Sequence, residues 1–481
     1  MMGKTACREL ACPRTLLSGV ESVCIYLLLA ATALAASPSQ APVQPAQGEP
    51  AAQKVITIFF TGNELGELQP CGCSGGQLGG FDRRDAVLDS VEPKNRFIFD
   101  TGFLVPELTE QNLIKFNIIV QALSQLGYDM VNLTEQDILI ARKAGLLDVL
   151  GSAFNVITAD GPEDAMLPAK FTRRFTLDGN SVDITVAVID TEEQIERLSD
   201  LFAASADEPS STVNVLIFNR LDSKKVTAVS ETNLADLLII PPQSDEPTLI
   251  SDSNARPLVV SAGRLGKYVG KIRVALPGPV LSFSSIPITE DLPQNQVLVD
   301  FYKDYQRLLK EANLLEKYPR FILPDNLQYV GSKSCKLCHD YEYEKWLTSS
   351  QVFIHGLPKQ PSPDSRHADA FATLEKVGSD YDPECVICHV VGMQFQSGFI
   401  SPEKTSDLKD VGCENCHGPG SDHLSSLGAV ETSGPMSTCT DCHNTEHSAE
   451  YAGNEKQYFE KIIHWREPVS FVRVKEPNHA P

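Results

Sequence analysis

The feature that most constrains this chain is a pattern that occurs four times between residues 335 and 443: two cysteines separated by two residues, with a histidine directly after the second. Two thiols at this spacing can reach the two vinyl groups on one edge of a haem, and the adjacent histidine then lies beneath the iron. The pattern therefore predicts four covalently attached c-type haems. The attachment cysteines are Cys335, Cys338, Cys385, Cys388, Cys413, Cys416, Cys439 and Cys442, and the proximal ligands are His339, His389, His417 and His443.

Two other roles for paired cysteines are open. Such pairs can hold structural zinc, but zinc does not require a histidine after every second cysteine. They can also be redox-active dithiols, but four consecutive ones without a thioredoxin pattern would be unusual. Haem attachment is the interpretation that explains the whole pattern.

The remaining histidines are candidates for the second axial position on each iron. The chain has 10 histidines, and none precedes His339. The stronger distal candidates are His367 in a helical stretch, His423 after a Gly-Pro-Gly turn, and His464 in an amphipathic segment. His447 and His355 are weaker candidates, and His479 is the weakest; for these three, a surface histidine is the plainer interpretation.

The first residues are typical of a secretory signal peptide. Three basic residues precede an apolar run at 23–34 that is short for a membrane span, and small residues suggest cleavage after Ala35. An uncleaved anchor is the alternative. Residues 36–53 read as a flexible tether rich in proline, alanine and glutamine, and no later segment is apolar and long enough for a transmembrane anchor. We therefore expect a periplasmic or otherwise exported protein.

Residues 54–275 alternate short β-branched or aromatic runs with helical patterns at 113–126 and 138–150. This alternation predicts an α/β sandwich with both faces of each sheet covered. The predicted strands are 55–60, 97–99, 155–158, 184–189, 213–218, 237–240 and 258–261.

Residues 276–327 read as a linker with a connector helix. Several prolines suggest a loop at 276–295. Apolar residues then recur at three- and four-residue spacing and predict one helix face that packs the two domains together. That face comprises Val297, Phe301, Tyr305, Leu308, Ala312 and Leu315. From 328 to 481 strand-like runs vanish, as in a mostly helical domain in which porphyrins supply much of the core.

The segments YVGSKSCKLCHDYEYEKW, RHADAFATLEKV, YDPECVICHVVG and GCENCHGPGSDHL resemble the cytochrome c554 family of tetrahaem cytochromes over 328–467. The resemblance implies closely stacked haems and electron transfer, often in nitrogen-oxide or hydroxylamine metabolism. It matches His367, His423 and His464 to distal positions. Because family members can leave one haem without a distal ligand, the fourth iron is either five-coordinate or bound by His447 or His355.

The segments VITIFFTGNELGELQP, GGFDRRDAVL, FIFDTGFL, YDMVNLTEQDI and PLVVSAGRLGKYVGKIRV resemble the metallophosphoesterase domain of 5′-nucleotidases. Active members hold two metal ions with Asp, His and Asn. The matching positions here are Asn63, Leu65, Gly102, Phe103, 134–137, Gln243 and Asp245. Leucine and phenylalanine cannot ligate a hard cation, so we expect a retained scaffold that has lost its phosphoesterase activity. Asn63, Glu135 and Asp137 are the residues that a weaker, different metal site would use.

Cys71 and Cys73 lie in a glycine-rich loop after the first predicted strand, at the sheet edge where α/β proteins bind ligands. The pair fits a redox-active disulfide, a soft-metal site or a thiol nucleophile, and a structural role remains the alternative.

Charge narrows the choice of partners. The net charge of −22, from 41 basic and 63 acidic residues, argues against nucleic acid and anionic membranes. It favours a basic redox partner, or it serves solubility alone. The sequence gives no prediction of an oligomeric state. Three functions follow in order: electron transfer through four haems, a haem-based reductase of a small nitrogen oxide, and an active metal-dependent 5′-nucleotidase.

Overall fold

Two sheets, formed by eleven strands of the described residues, make up the first part of the chain. The computed structural model describes residues 55–70, 76–159, 167–177, 179–203, 211–276, 278–348, 353–354, 357–358, 367–432, 439–444, 447–448 and 451–464. All of these described residues belong to one compact unit. The strands are β1 (Val55–Thr61), β2 (Arg96–Asp100), β3 (Met130–Asn132), β4 (Asn155–Ile157), β5 (Lys170–Leu177), β6 (Asn180–Ile189), β7 (Ser211–Phe218), β8 (Leu237–Ile240), β9 (Leu258–Ser261), β10 (Tyr268–Ala275) and β11 (Val280–Pro287).

Both sheets are mixed. The first has the order β11-β10-β1-β2-β3-β4, in which β1 to β4 are parallel and β10 and β11 are antiparallel to their neighbours. The second has the order β5-β6-β7-β8-β9 and is parallel except for β5. The carboxyl ends of β1, β2 and β3 therefore meet at one edge of the first sheet.

The inner faces of the two sheets pack on each other and form the main core. Apolar residues from the first sheet, such as Phe97 and Met130, belong to one buried cluster with Val186 and Val215 from the second. A separate cluster covers the outer face of the second sheet, where Leu216 and Val229 are buried. This arrangement confirms the predicted α/β sandwich.

Helices accompany these strands and connect them to the C-terminal part. Those that the structure describes are α1 (Phe81–Leu88), α2 (Glu110–Gln125), α3 (Glu135–Lys143), α4 (Leu147–Ala153), α5 (Glu192–Glu196), α6 (Leu198–Leu201), α7 (Ser223–Thr232), α8 (Gln296–Ala312) and α9 (Leu314–Lys317). The connector helix α8 packs against α1 and α2. Its first turn is capped by the Asn295 side chain, which accepts from the backbone N–H of Val297, and it ends at Asn313 in the left-handed conformation (φ 54°).

The C-terminal part consists of short helices and long connections, which confirms the predicted helical class. The elements are α10 (Ser332–Cys335), α11 (Asp340–Thr348), β12 (Phe353–Ile354), β13 (Leu357–Pro358), α12 (Ala370–Val377), α13 (Pro383–His389), α14 (Cys413–His417), α15 (Ser421–Ser425), α16 (Cys439–Cys442) and α17 (Glu455–Ile462), with 3-10 turns at His367–Asp369 and Ser406–Leu408. Within the described residues, no helix is both long and apolar enough to cross a membrane.

Three local expectations differ from the structure. The predicted loop at 276–295 contains β11, an edge strand whose alternating partial exposure and flanking prolines hide its pattern. The helical pattern at 138–150 divides into α3 and α4 because Gly145 adopts a positive φ of 70° between them. The predicted face of the connector helix is partly wrong, since Val297 is 44% exposed while Leu298, Gln306 and Leu309 are buried beside Tyr305.

Candidate haem-binding site

Each Cys-x-x-Cys-His segment forms a helical turn or directly follows one. The backbone N–H of His339 donates to the carbonyl of Cys335 at 3.0 Å, and that of His443 donates to Cys439 at 2.7 Å. Such bonds span one helical turn, so the histidine and the first cysteine of a motif lie on the same side of the turn. The local fold thus presents two thiols and one imidazole together, as a covalently bound haem requires.

Three of the four motif histidines face a second imidazole from a distant part of the chain. The ring centres of His339 and His423 are 6.0 Å apart, those of His443 and His367 are 6.2 Å apart, and those of His417 and His464 are 6.0 Å apart. The structure therefore brings together each stronger distal candidate with one motif histidine. His464 lies two residues beyond the end of α17 rather than within a helix.

These separations match two imidazoles that hold one metal ion between them. A metal–imidazole bond is about 2 Å long, and the ligating nitrogen lies a further ~1 Å from its ring centre, so the two centres should be about 6 Å apart. The three pairs therefore fit the axial positions of three haem irons.

Hydrogen bonds prepare several of these rings for metal binding. Nδ1 lies 2.6 Å from the Ala370 carbonyl in His389, 2.7 Å from the Val430 carbonyl in His423, and 2.9 Å from the Ile462 carbonyl in His464. Because a carbonyl only accepts, Nδ1 carries the proton and Nε2 keeps its lone pair. This outer hydrogen bond is the usual partner of a metal-bound histidine.

Burial keeps the rings in the neutral form that binds metals. It lowers the pKa of His367 to about 4, with a further lowering by His443 and His389. Burial also lowers the pKa of His389, His417 and His443. These imidazoles are therefore neutral at pH 7 and available as ligands.

The ring of His389 has a different environment from the other three motif histidines. Among the described histidines, none has its ring stacked on or edge-packed against that of His389, whose Nδ1 is held by Ala370. His389 lines a cavity of about 1420 Å³ between the sandwich and the C-terminal part, and the paired rings of His443 and His367 line the same cavity. His447 lines the same cavity beside His443 but forms none of the three ring pairs.

The motif thiols meet in pairs drawn from different motifs. Cys335 hydrogen-bonds Cys413 and lowers the pKa of that thiol to about 6, and Cys442 does the same to Cys388, whose pKa it lowers. A zinc site would gather both thiols of a motif around one ion. Here each contact joins thiols of two different motifs. Attachment cysteines of the first and third motifs are therefore adjacent, and so are attachment cysteines of the second and fourth motifs.

Four of the predicted site residues lie outside the described residues. They are Cys71, Cys73, His355 and His479. Their roles stay predictions.

At the sheet edge where the sequence resemblance matches a dinuclear metal site, the candidate ligands do not converge. The Asp137 carboxylate accepts from the backbone N–H groups of Phe103, Leu104 and Thr134, so it caps α3 and fixes the neighbouring loop. The Glu135 side chain is 89% exposed and pairs with Arg220 at the surface. Among the described residues, no group of three or more His, Cys, Asp or Glu side chains is arranged to hold a metal ion.

Asn63 and Phe103 fill this edge of the sheet. The cavity that they line with Asn219 measures about 10 Å³, which is about the minimum for one water molecule. Asn63, Leu65 and Phe103 nevertheless keep left-handed backbone conformations, with φ of 54°, 52° and 59°. A left-handed conformation is uncommon for leucine and phenylalanine, which carry a steric cost there that asparagine largely avoids.

A buried network of charged residues, which the sequence does not predict, lies beneath this edge of the sheet. Both guanidinium Nη atoms of Arg84 donate to Glu64, at 2.7 and 2.8 Å, and both side chains are almost fully buried. The chain of hydrogen bonds continues from Arg84 to Tyr128, then to Thr61, and from Thr61 to Asp100 at 2.6 Å. Burial and the nearby Glu64 charge raise the pKa of Asp100 to about 7. Arg84 stands in a run of charged residues that by itself indicates a solvent-exposed helix face.

Comparison with known proteins agrees with the C-terminal geometry. Residues 334–418 match the family described as cytochrome c554 and c-prime. Cytochrome c-554 of Nitrosomonas europaea is 32% identical over 112 residues, which are 22% of this chain and 46% of that protein. The chain thus spans about half the length of this curated relative.

Solved structures resemble the sandwich. The calcineurin-like phosphoesterase YfkN from Bacillus subtilis has 15% identity, a TM-score of 0.42, and coverage of 54% of this chain and 99% of its own. The 5′-nucleotidase precursor from Thermus thermophilus has 16% identity, a TM-score of 0.42, and coverage of 62% and 68%.

The resemblance of the C-terminal segment to the cytochrome c554 family is thus confirmed over residues 334–418.

Proposed function

We propose that this protein is an exported electron-transfer cytochrome that binds four haem c groups, one at each Cys-x-x-Cys-His motif. The observation that carries the proposal is the set of three imidazole pairs about 6 Å apart, each joining a motif histidine to a distant one. Bound haem supplies a one-electron iron couple whose potential depends on its axial ligands and burial.

Different residues of this chain serve different parts of haem binding. The cysteine pairs would hold each haem covalently, and the histidine of each motif would bind its iron. We assign His423 to the first motif, His464 to the third and His367 to the fourth as distal ligands. Adjacent attachment points, Cys335 beside Cys413 and Cys388 beside Cys442, support rapid electron transfer within the pairs one–three and two–four.

The cellular setting belongs to the same proposal. The signal-like N-terminus, together with the attachment of haem c outside the cytoplasm in bacteria, favours the periplasm. The net charge of −22 favours a basic redox partner that docks by charge complementarity. The resemblance of the C-terminal region favours a role in nitrogen-oxide or hydroxylamine metabolism.

A second candidate function is a haem-based reductase of a small nitrogen oxide at the second motif. The observation that favours it is the environment of His389, which lines a cavity of about 1420 Å³ and forms no ring pair with another described histidine, whereas the other three motif histidines each face an imidazole. Tyr302 lines the same cavity and lies within electrostatic range of Cys385.

The test is a haem count and an EPR spectrum of oxidised protein from a host that attaches c-haem. Four haems per chain, as counted by mass and by the pyridine haemochrome, are expected; fewer would contradict the four-haem proposal. Four low-spin signals that do not respond to nitric oxide would support electron transfer alone. A high-spin signal that disappears with nitric oxide would support the reductase, and His389→Ala should then abolish that signal and leave the other three.

A further inference from the structure

The sandwich contacts the second haem motif through a buried lysine. Lys115 lies on α2, and its side chain is only 6% exposed, although lysine is seldom buried without a partner. Its Nζ lies 2.6 Å from the Glu384 carboxylate, directly beside Cys385. The Lys115 stem runs past Gly66, where a Cβ atom would stand 3.1 Å from its Cδ. The glycine therefore leaves the room that this lysine needs.

Asp382 joins the same contact to the connector helix. It is 3% exposed and caps the first turn of α13 by accepting from the backbone N–H of Glu384 at 3.0 Å. Gln111 of α2 donates to it at 3.0 Å, and Gln306 of α8 donates at 3.3 Å. Because Gln111 and Lys115 are one turn apart on α2, one helix face holds both carboxylates.

These residues surround the place where a haem bound to motif two would lie. Lys115, Asp382 and Glu384 line the same large cavity as Cys385, Cys388 and His389. The Lys115 charge acts on the Cys385 thiol and lowers its pKa against the larger upward effects of burial and of Asp382 and Glu384. The ammonium is therefore within electrostatic range of the attachment point.

We propose that Lys115 is a positioning residue of the N-terminal domain that raises the reduction potential of the haem held by Cys385, Cys388 and His389. This inference rests on the proposed function, since it requires a haem at that motif. A haem iron that accepts one electron gains one unit of negative charge, and a nearby buried cation stabilises that state more strongly than an exposed one would. The domain that has lost its metal site thus tunes a redox centre.

The experiment is a potentiometric titration of the holoprotein by visible spectroscopy, with dithionite as the electron donor. Lys115→Met should lower the midpoint of one of the four transitions by about 59 mV or more, which is a tenfold change in a one-electron equilibrium constant. The other three midpoints should stay in place. Lys115→Arg keeps the charge and should restore the wild-type midpoint.

A structural effect is separated from a charge effect by the sign of the shift. Glu384→Gln removes the opposite charge from a half-exposed position and should raise the same midpoint; a loosened contact between the domains would move it in one direction for both variants. The control, Lys317→Met, breaks the exposed Lys317–Glu110 pair, whose side chains are 53% and 51% exposed, and should change no midpoint.

The outcomes separate the two proposals. A haem at motif two with no shift in either Lys115→Met or Glu384→Gln would overturn the tuning role and leave electron transfer intact. A wild-type protein without haem at Cys385 and Cys388 would overturn the proposed function itself.

Discussion

The two halves of this molecule reach their folds by different physical means. The sandwich is built on a continuous apolar core, in which residues such as Ile58, Phe99 and Val186 are fully buried. The C-terminal part has a small cluster around Phe371 and Phe399, and its polar ligand rings face one another across gaps of about 6 Å between centres. The first half encloses its own side chains, whereas the second encloses space for cofactors.

The two halves also differ in how their candidate ligand residues are arranged. In the sandwich, the edge that resembles a metal site is filled by Asn63 and Phe103 and carries internal hydrogen bonds instead of ligands. In the C-terminal part, three pairs of imidazoles face one another with ring centres about 6 Å apart. The described residues therefore bring imidazoles together in the C-terminal part, whereas no comparable set of ligands converges at the sheet edge of the sandwich.

We expect the largest difference between the two halves when the haems are removed. Protein whose eight motif cysteines are replaced by serine should keep a folded sandwich and lose the C-terminal fold, because that region has too little apolar surface to fold without its cofactors. Hydrogen exchange should show β1, β6 and β7 still protected, while the amides of α12 and α14 exchange freely.

A matched control replaces only Cys71 and Cys73 by serine and should leave haem content and C-terminal protection unchanged. Protection of α14 in the protein without haem, equal to that in the holoprotein, would contradict the contrast.

A smaller effect tests the internal charges of the sandwich. Arg84→Met leaves the Glu64 carboxylate buried without its bidentate partner, and we expect a loss of about 3–5 kcal/mol in the free energy of unfolding. Urea-dependent hydrogen exchange of β1 and β2 measures it. Arg220→Met, which breaks an exposed pair with Glu135, should cost less than about 0.5 kcal/mol. If both variants lowered the free energy of unfolding equally, the buried Arg84–Glu64 pair would contribute no more to stability than the exposed pair, which would contradict the prediction.

The smallest effect is a pH dependence centred on Asp100. Its pKa is raised to about 7 in the folded protein by burial first and by Glu64 second. Because its pKa is higher in the folded protein, this carboxyl stabilises the folded state fully at pH values below its pKa in the unfolded chain, which is about 3.9. That stabilisation is lost as the pH rises through 7. Relative to Asp100→Asn, the wild type should lose about 2–4 kcal/mol of stability between pH 4 and pH 8.

The same urea-dependent exchange at a series of pH values measures this difference, and the exposed change Asp300→Asn serves as the control. A wild-type curve parallel to that of Asp100→Asn would show that this carboxyl has the same pKa in the folded and unfolded states, and would contradict the prediction.

Local features were predictable from the sequence. A Cys-x-x-Cys-His motif is complete within five residues, so its chemistry can be read without knowledge of the fold. The strands β1, β7 and β8 are equally clear, because buried strands of a mixed sheet are continuous apolar runs. Edge strand β11 was missed because only alternate residues pack inward, and its serines give the pattern of a loop.

Long-range features were not predictable. Nothing near His417 indicates that His464, from the end of another helix, will face it, because that contact depends on how α14 and α17 pack. The Arg84–Glu64 pair is invisible for the same reason, since a charged residue usually indicates a solvated face. The contact of Lys115 with Glu384 joins positions 269 residues apart, and only the tertiary structure reveals it.

The contact of α13 with α2 and α8 also has a consequence for the order of haem attachment and folding. An N-terminal domain is synthesised first and folds as a unit, so the face with Gln111 and Lys115 exists before the segment around Cys385 arrives. In the folded protein Cys385 is partly buried and lines the cavity next to Lys115 of that face. The machinery that joins haem to Cys385 and Cys388 must therefore act earlier, and we expect this attachment, more than the other three, to compete kinetically with folding.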